Sequence, residues 1–346
     1  MPKAEATPCL RSAVYNVAIV GCGVIGHRLA DAFSEHEETT VWGACDLVAS
    51  KVESFAAEYD SAAYTDYETM VSEPAVDIVY VGVPPTVHHE VVAAALDAEK
   101  AVICEKPIAE DATVGAELVA LEEATDQPTA INLPFRYTPG VRELIDRIDA
   151  GEIGEPQRIE LTFRFPQWPR EWQDVEWLAG REQGGPLREV GTHYLFGVQE
   201  AFDTIDWVSA EIDYTAPDRY EESITGYFGV DGIPGTIDLL TDCGVDEQNS
   251  MTVVGTEGSL TLLDWYRLAE SAEGEEQTVV VDDPGENTLQ LVDEFVAELD
   301  SERRQSTAAG SDGEGGDLVS FAEANRVQTV VDAVFASEGE RTAVEK

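Results

Sequence analysis

Basic residues are scarce in this chain. Its 346 residues include 21 lysines and arginines against 69 acids, a formal charge of −48. Binding a phosphate backbone needs a basic face, so nucleic acid is excluded as a partner. Long apolar runs are missing too. No stretch of about 18 apolar residues occurs, which excludes an apolar membrane-spanning helix. Residues 1–14 have neither an apolar h-region nor a twin arginine, so no secretory signal is expected. Cysteines are few and odd in number: Cys9, Cys22, Cys45, Cys104 and Cys243, with no C-x-x-C pair. They read as small buried hydrophobes in a reducing, cytoplasmic compartment, without a disulfide framework or a metal site. No internal repeat is visible.

What is present is an ordinary core. The chain is 43% hydrophobic, which argues against a wholly disordered acidic protein. Its length suits two domains, or one large one. The acids run along the whole chain, and the lysines number five: Lys3, Lys51, Lys100, Lys106 and Lys346. This excess goes beyond what solubility needs, because like charges oppose compaction in dilute salt. At about 1 M salt the Debye length falls to roughly 3 Å and the repulsion is screened. An acid-rich, lysine-poor surface on a normal core is the pattern of proteins from extreme-salt cytoplasm, the haloarchaeal type.

The first third alternates short β-branched runs with amphipathic stretches. Strands are expected at 15–20, 39–45, 77–83, 101–104 and 127–132, and helices at 24–34, 48–58, 87–98 and 113–124. That alternation specifies a parallel, doubly wound α/β sheet, a Rossmann domain over 1–133. Past Pro134, a helix at 141–150 leads into longer strands at 158–165, 207–214, 224–229, 236–241, 251–255 and 259–263. Hairpin-like turns join several of them, so 134–346 reads as an α+β domain with a large, mostly antiparallel sheet. Helices return at 289–299 and 319–336, with a Gly/Ser-rich loop at 306–316 between them.

The strongest motif is Gly21-Cys22-Gly23-Val24-Ile25-Gly26. It follows a strand and opens a helix, and Asp46 ends the next strand 20 residues after Gly26. This is the dinucleotide fingerprint: a tight turn, close backbone approach to a pyrophosphate, and a carboxylate for ribose hydroxyls. Leu47 stands where an arginine would favour a 2′-phosphate, so NAD is preferred. Ser50 and Lys51 keep NADP open. A second motif, Glu105-Lys106-Pro107, lies just past a sheet strand, at the edge where such sheets hold ligands. A loop lysine is ordinarily just solvated, but this chain keeps very few.

In combination these motifs make the chain resemble the Gfo/Idh/MocA family of nicotinamide-dependent oxidoreductases, from about Tyr15 to the end. DIVYVGVPPTVH at 77–88 resembles the family's strand and cofactor-side loop. Glu105-Lys106-Pro107 is similar to its catalytic segment, and Asn132 to Arg136 to its N-x-x-x-R stretch. The GEIG turn at 151–154, the GGPLREVGTH segment at 184–193 and the GTEGS turn at 255–259 also resemble family turns and segments. The resemblance implies cofactor contacts from Val83, Pro84, Pro85, His88, Glu105, Lys106 and Asn132, besides the glycine turn. It also implies a sheet that pairs with another subunit, in a dimer or tetramer. Two departures stand out. Glu189 replaces the usual Asp of D-x-x-x-H, and Phe196 replaces a common Asp three residues after the His.

The chemistry also follows from residue types. Alcohol oxidation sends a hydride to a nicotinamide and a proton to a base. His193, with a reference pKa of about 6.5, suits the base. Glu189, four residues before it, shares its helix face and can orient it or contact a substrate hydroxyl. Lys106 can donate to the reacting oxygen. Arg136 is a further substrate-binding candidate, and Trp177, nearest to Glu189 in a Trp-rich stretch over 165–177, is the preferred pocket aromatic. The expected function is an NAD(P)-dependent dehydrogenase or reductase of a sugar, polyol or related hydroxy/keto compound. Two rivals are a reductase of a less polar cyclic or dihydrodiol-type substrate, suggested by Phe196 and the tryptophans, and a dinucleotide-binding sensor without turnover.

Overall fold

The computed structural model describes residues 14–173, 175–307 and 316–344; Cys9 and most of the expected 306–316 loop lie outside them. The first sheet grows from β-branched runs buried on both faces. β1 (Tyr15–Val20) sends Tyr15, Val17 and Ile19 into one apolar cluster and Ala18 and Val20 into another across the sheet. That is the two-residue period of a strand covered on both sides. There follow α1 (Val24–Glu35), β2 (Thr39–Cys45), α2 (Ala49–Glu58), β3 (Ala62–Tyr64), α3 (Tyr67–Val71), β4 (Ile78–Val81), α4 (Pro85–Asp97), β5 (Ala101–Glu105), α5 (Ala112–Ala124) and β6 (Thr129–Asn132).

The six strands are parallel in the order β3-β2-β1-β4-β5-β6. Strand order reverses between β1 and β4, and the crevice beyond their carboxyl ends is where open α/β sheets bind ligands. Gly21 sits there with φ +106°, and a Cβ on it would lie 2.1 Å from the Gly82 carbonyl oxygen. Only glycine lets the two strand ends close up.

The second half comprises α6 (Pro139–Asp149), β7 (Pro156–Arg164), α7 (Thr192–Ala201), β8 (Trp207–Tyr214), β9 (Glu221–Val230), β10 (Ile233–Leu240), β11 (Gln248–Gly255), β12 (Gly258–Leu263), β13 (Arg267–Ala272), β14 (Thr278–Asp282), α8 (Asn287–Thr307), α9 (Phe321–Ala336) and β15 (Thr342–Ala343). Its nine strands run β14-β13-β12-β11-β7-β10-β9-β8-β15. Hairpins make most pairs antiparallel, as expected, but β7 and β10 pair in parallel at the centre. Ile159, Leu161 and Phe163 of β7 face the core. Tyr227, on the outer face of β9, is 56% exposed.

Two late helices tie the halves together. Leu291, Val292, Phe295 and Val296 of α8 join Tyr15, Ile19, Leu29 and Phe33 beneath the first sheet. The helix α9, capped by a reciprocal Ser320–Glu323 box, packs against α5 and β8. No helix among the described residues is long and apolar enough to cross a membrane.

Candidate active site

The dinucleotide cradle forms at the switch point. Gly23 caps α1 with no side-chain hydrogen bond, and the first helical turn holds no acid. In so acidic a chain, that leaves the positive helix end free for an anion. A Cβ on Gly23 would meet nothing within 4 Å, whereas one on Gly26 would strike the Gly21 carbonyl oxygen at 2.1 Å. Val24 and Ile25 complete the turn. Asp46 closes it: its Oδ2 accepts from Cys22 N at 3.2 Å and its Oδ1 from Val48 N at 2.9 Å. Val83 and Pro84 lead from β4 into α4, whose first residue is Pro85.

The Glu105-Lys106-Pro107 segment leaves β5 at the same edge, with a cis Lys106–Pro107 bond. Tyr80 OH donates to Glu105 Oε1 at 2.7 Å, and Asn132 Nδ2 donates to the same oxygen. Burial raises the Glu105 carboxyl above its ordinary range, opposed by the Asn132 and Tyr80 hydrogen bonds and by Lys106. Asn132 Oδ1 is buried with no hydrogen-bond partner. An orphaned acceptor beside the crevice and a glycine cradle at an uncapped helix end fit a nicotinamide dinucleotide.

Lys106 reaches across to the second half. Its Nζ donates to Glu189 Oε2 at 2.8 Å and to the Glu189 carbonyl at 3.0 Å. Only 10% of the lysine side chain and 22% of the glutamate's are exposed. Gln173 Nε2 approaches Glu189 Oε1 at 3.4 Å. His193 lies beside the tilted rings of Trp265, at 5.3 Å between centroids, and Phe135, at 6.0 Å. Burial, then the Lys106 and Arg170 charges, hold its imidazole well below the usual histidine range, so it is neutral at neutral pH.

Several expected placements are corrected. Glu189 is bound to Lys106 rather than to His193. The reason is local: residues Leu187–Gly191 form a wide π-helical turn, with Thr192 N reaching back to the Leu187 carbonyl, so four-residue spacing no longer defines one face. His88 is fully buried, its Nε2 2.8 Å from the Val83 carbonyl and its Nδ1 3.1 Å from that of Ile108. Burial lowers its pKa, so the ring is neutral and carries one N–H, which donates to one of these carbonyls while the other nitrogen lies unprotonated beside the second. Wedged between the two crevice loops, it braces them and shows no exposed surface. Arg136 is spent on Glu200, Glu323, Asp317 and the Leu318 carbonyl, over the Phe196 ring. With its donors committed, it locks the chain after β6 onto α7 and α9. Phe196 is itself 1% exposed, so it lends no apolar surface to a pocket. Trp177 lies on a 3-10 turn, Glu176–Ala179, and the tryptophan against the imidazole is Trp265.

Three residues were not singled out in the sequence: Trp265, Arg170 and Glu221. Asp264 and Trp265 both have positive φ, 49° and 81°, in the β12–β13 hairpin, a conformation a bulky residue adopts only when its surroundings impose it. Arg170 also lies over that indole, its guanidinium carbon 5.8 Å from the ring centroid. The third, Glu221, opens β9 fully buried beneath Gly185, where an added Cβ would lie 2.3 Å from Glu221 Oε2. Two adjacent glutamates at a strand start look like a solvated edge, so nothing local signals this burial.

Burial pushes the Glu221 carboxyl up to about 7, against the pull of Arg188 and Arg181. A raised folded-state value means the protonated form is favoured on folding. The stabilisation is complete below about pH 4.5 and is lost as pH rises towards 7, by about 3 kcal/mol. Glu221→Gln should therefore raise the melting temperature at pH 8 and flatten its fall between pH 5 and 8. An unchanged pH dependence of melting would contradict the assignment.

Comparison with known proteins bears on the two halves of the fold. Residues 15–132 match the family model described as an oxidoreductase family with an NAD-binding Rossmann fold, and residues 141–261 match the GFO/IDH/MocA C-terminal domain. The chain belongs to the Gfo/Idh/MocA family. It is 29% identical over 189 residues to a dTDP-3,4-didehydro-2,6-dideoxy-alpha-D-glucose 3-reductase of Saccharopolyspora spinosa, covering 52% of this chain and 56% of that protein. It is 28% identical over 264 residues to an inositol 2-dehydrogenase 2 of Mycolicibacterium vanbaalenii, covering 75% of each. The chain spans about half the length of most curated relatives it matches. A levoglucosan dehydrogenase solved with NADH and L-sorbose shares the fold, with a TM-score of 0.81 at 16% identity over 96% of this chain and all of that one. Glu189, which stands where the Gfo/Idh/MocA pattern has Asp, keeps a carboxylate there and bonds Lys106 through it.

Proposed function

We propose that this protein is an NAD-dependent oxidoreductase that moves a hydride between the nicotinamide and a CH–OH or carbonyl carbon of a sugar or polyol. The observation that carries the reading is the Lys106–Glu189 pair beside a neutral His193 at the mouth of the dinucleotide crevice. With the dinucleotide's pyrophosphate held at the glycine turn, its nicotinamide would supply the hydride acceptor or donor. The protein handles the proton. In the oxidative direction the neutral imidazole of His193 accepts the hydroxyl proton. An ammonium has three N–H donors, and Lys106 Nζ spends two on Glu189, leaving one for the reacting oxygen as it gains charge. Glu189 holds the ammonium in place, a positioning role that its length permits.

The relatives named as sugar and inositol enzymes support the substrate class. Burial of Phe196 removes one ground for the less polar alternative. We further read residues 1–133 and 134–346 as the cofactor and substrate units, with α8 and α9 strapping them. The acidic, lysine-poor surface supports a protein of high-salt cytoplasm, and the one-sided second sheet supports a homo-oligomer.

Cofactor choice tests the cradle. Asp46 lies at the loop beside Leu47, and a carboxylate there repels a 2′-phosphate. Steady-state kinetics with both couples, on a panel of inositol, levoglucosan and L-sorbose, should give the higher kcat/KM with NAD. A tenfold preference for NADP, about 1.4 kcal/mol, would show that Ser50 or Lys51 overrides the repulsion.

A further inference from the structure

Arg170 is the second cation at His193, and the proposed chemistry leaves it without a task. It lies in the segment that follows β7. Its guanidinium carbon is 5.3 Å from the ring centroid of Phe165, 5.4 Å from Trp168, 6.0 Å from Trp172 and 5.8 Å from Trp265. Trp265 is also the indole against His193, so one ring joins the arginine to the imidazole. A second link runs through Gln173, whose Oε1 accepts from Arg170 N at 3.1 Å while its Nε2 faces Glu189.

Glu247, just before β11, holds the guanidinium. Arg170 Nε donates to both its oxygens at 3.1 and 3.0 Å, and Nη2 to Oε1 at 2.8 Å. Asn249 Nδ2 braces the same oxygen at 2.8 Å. Nη1 has no protein acceptor among the described residues. The arginine side chain is 10% exposed and the glutamate's 33%. Most acids of this protein face water and have no need of an arginine. Arg170 is instead drawn inward, onto aromatic faces, with one pair of N–H groups that meets no acceptor among the described residues.

We propose that Arg170 is a specificity-determining residue whose Nη1 binds a neutral oxygen of the substrate, a hydroxyl or ring oxygen on a carbon beyond the reacting one, with Glu247 as its positioning residue. Glu247 already balances the guanidinium charge, which favours a neutral oxygen over a carboxylate. The indoles of Trp265 and Trp172 offer faces for the C–H surface of the same molecule. This rests on the sugar or polyol reading of the site and narrows it to substrates with at least two oxygens in reach.

The test is equilibrium binding, read from tryptophan fluorescence, which needs no turnover. The probes are inositol, levoglucosan and L-sorbose, each with a deoxy analogue lacking one remote hydroxyl, and acetate-bearing analogues for the anionic alternative. Arg170→Met, which keeps the aliphatic stem, should weaken the tightest-binding neutral probe roughly ten- to a hundredfold, as loss of a charge-assisted hydrogen bond does. It should change the matching deoxy analogue far less. Glu247→Gln should give a smaller loss with the same selectivity. A second readout is the His193 titration by NMR. Lys106 and Arg170 are the cations acting on it, so Arg170→Met should move its midpoint up. Equal losses for probe and deoxy analogue, no binding of any neutral probe by the wild type, or tighter wild-type binding of the carboxylates would each overturn the proposal. Failure of hydride transfer alone, with this selectivity intact, would count against the proposed reaction and not against Arg170.

Discussion

Lys106→Ala is expected to lower kcat by roughly a hundredfold or more while NAD affinity changes little. The loss should fall on kcat because, in the proposed reaction, the substrate oxygen gains charge mainly in the transition state, where the third Nζ donor would stabilise it. The ammonium is largely shielded from water, so its charge acts through a low dielectric. The glycine turn and Asp46, the proposed dinucleotide cradle, are untouched. A second consequence is a pH effect: with one of two depressing cations gone, the His193 midpoint should rise and the acid limb of the kcat profile should move to higher pH. Removing Lys106 also leaves Glu189 half-buried and unpaired, a change that destabilises buried pairs by about 3–5 kcal/mol. The paired variant Lys106→Met with Glu189→Gln separates the two effects, because it should melt near wild type and still be inactive. Near-normal kcat with lost NAD binding in Lys106→Ala would make the lysine a cofactor anchor instead.

Salt should change stability by a comparably large amount. At a formal −48, the arginines are too few to neutralise the acids, and Arg136, Arg147 and Arg170 are already committed to carboxylates. The remaining acids repel one another across the surface. Raising KCl from about 0.1 to about 3 M shortens the Debye length from roughly 10 Å to below 3 Å and removes most of that repulsion. The melting temperature should climb by about 10 °C or more. A flat melting temperature over that range would contradict the high-salt reading.

What was legible in the sequence was what is local. β1 and β2 were bounded correctly because strands buried on both faces write continuous apolar runs between turn residues. β13, with the sequence RLAESA, and the three-residue β3 carry no such run, and pairing with neighbours defines them. The parallel β7–β10 contact joins strands distant in sequence, so hairpin spacing could not reveal it. The same division holds at the site. The glycine turn and Glu105-Lys106-Pro107 are contiguous and could be read directly. Arg170, Trp265 and Glu221 converge on His193 and its supporting turn from a loop, a hairpin and a strand start far apart in the chain. Glu189 was recognised but its partner was not, because a π-helical turn changes the spacing rule on which the expected pairing depended. Arg136 looked like an available cation only while Glu200, Glu323 and Asp317 were far away along the chain.

The most direct test of the central claim is isotope transfer. Wild-type protein in concentrated KCl is incubated with NAD and inositol, levoglucosan or L-sorbose carrying deuterium on the hydroxyl-bearing carbons, and the recovered cofactor is examined by NMR. The account expects reduced nicotinamide carrying deuterium at C4, formed together with an oxidised sugar or polyol, and none formed by Lys106→Ala with Glu189→Gln at comparable protein and time. Protein that binds NAD tightly and yet transfers no deuterium from any of these substrates would contradict it, and would favour a dinucleotide-binding sensor.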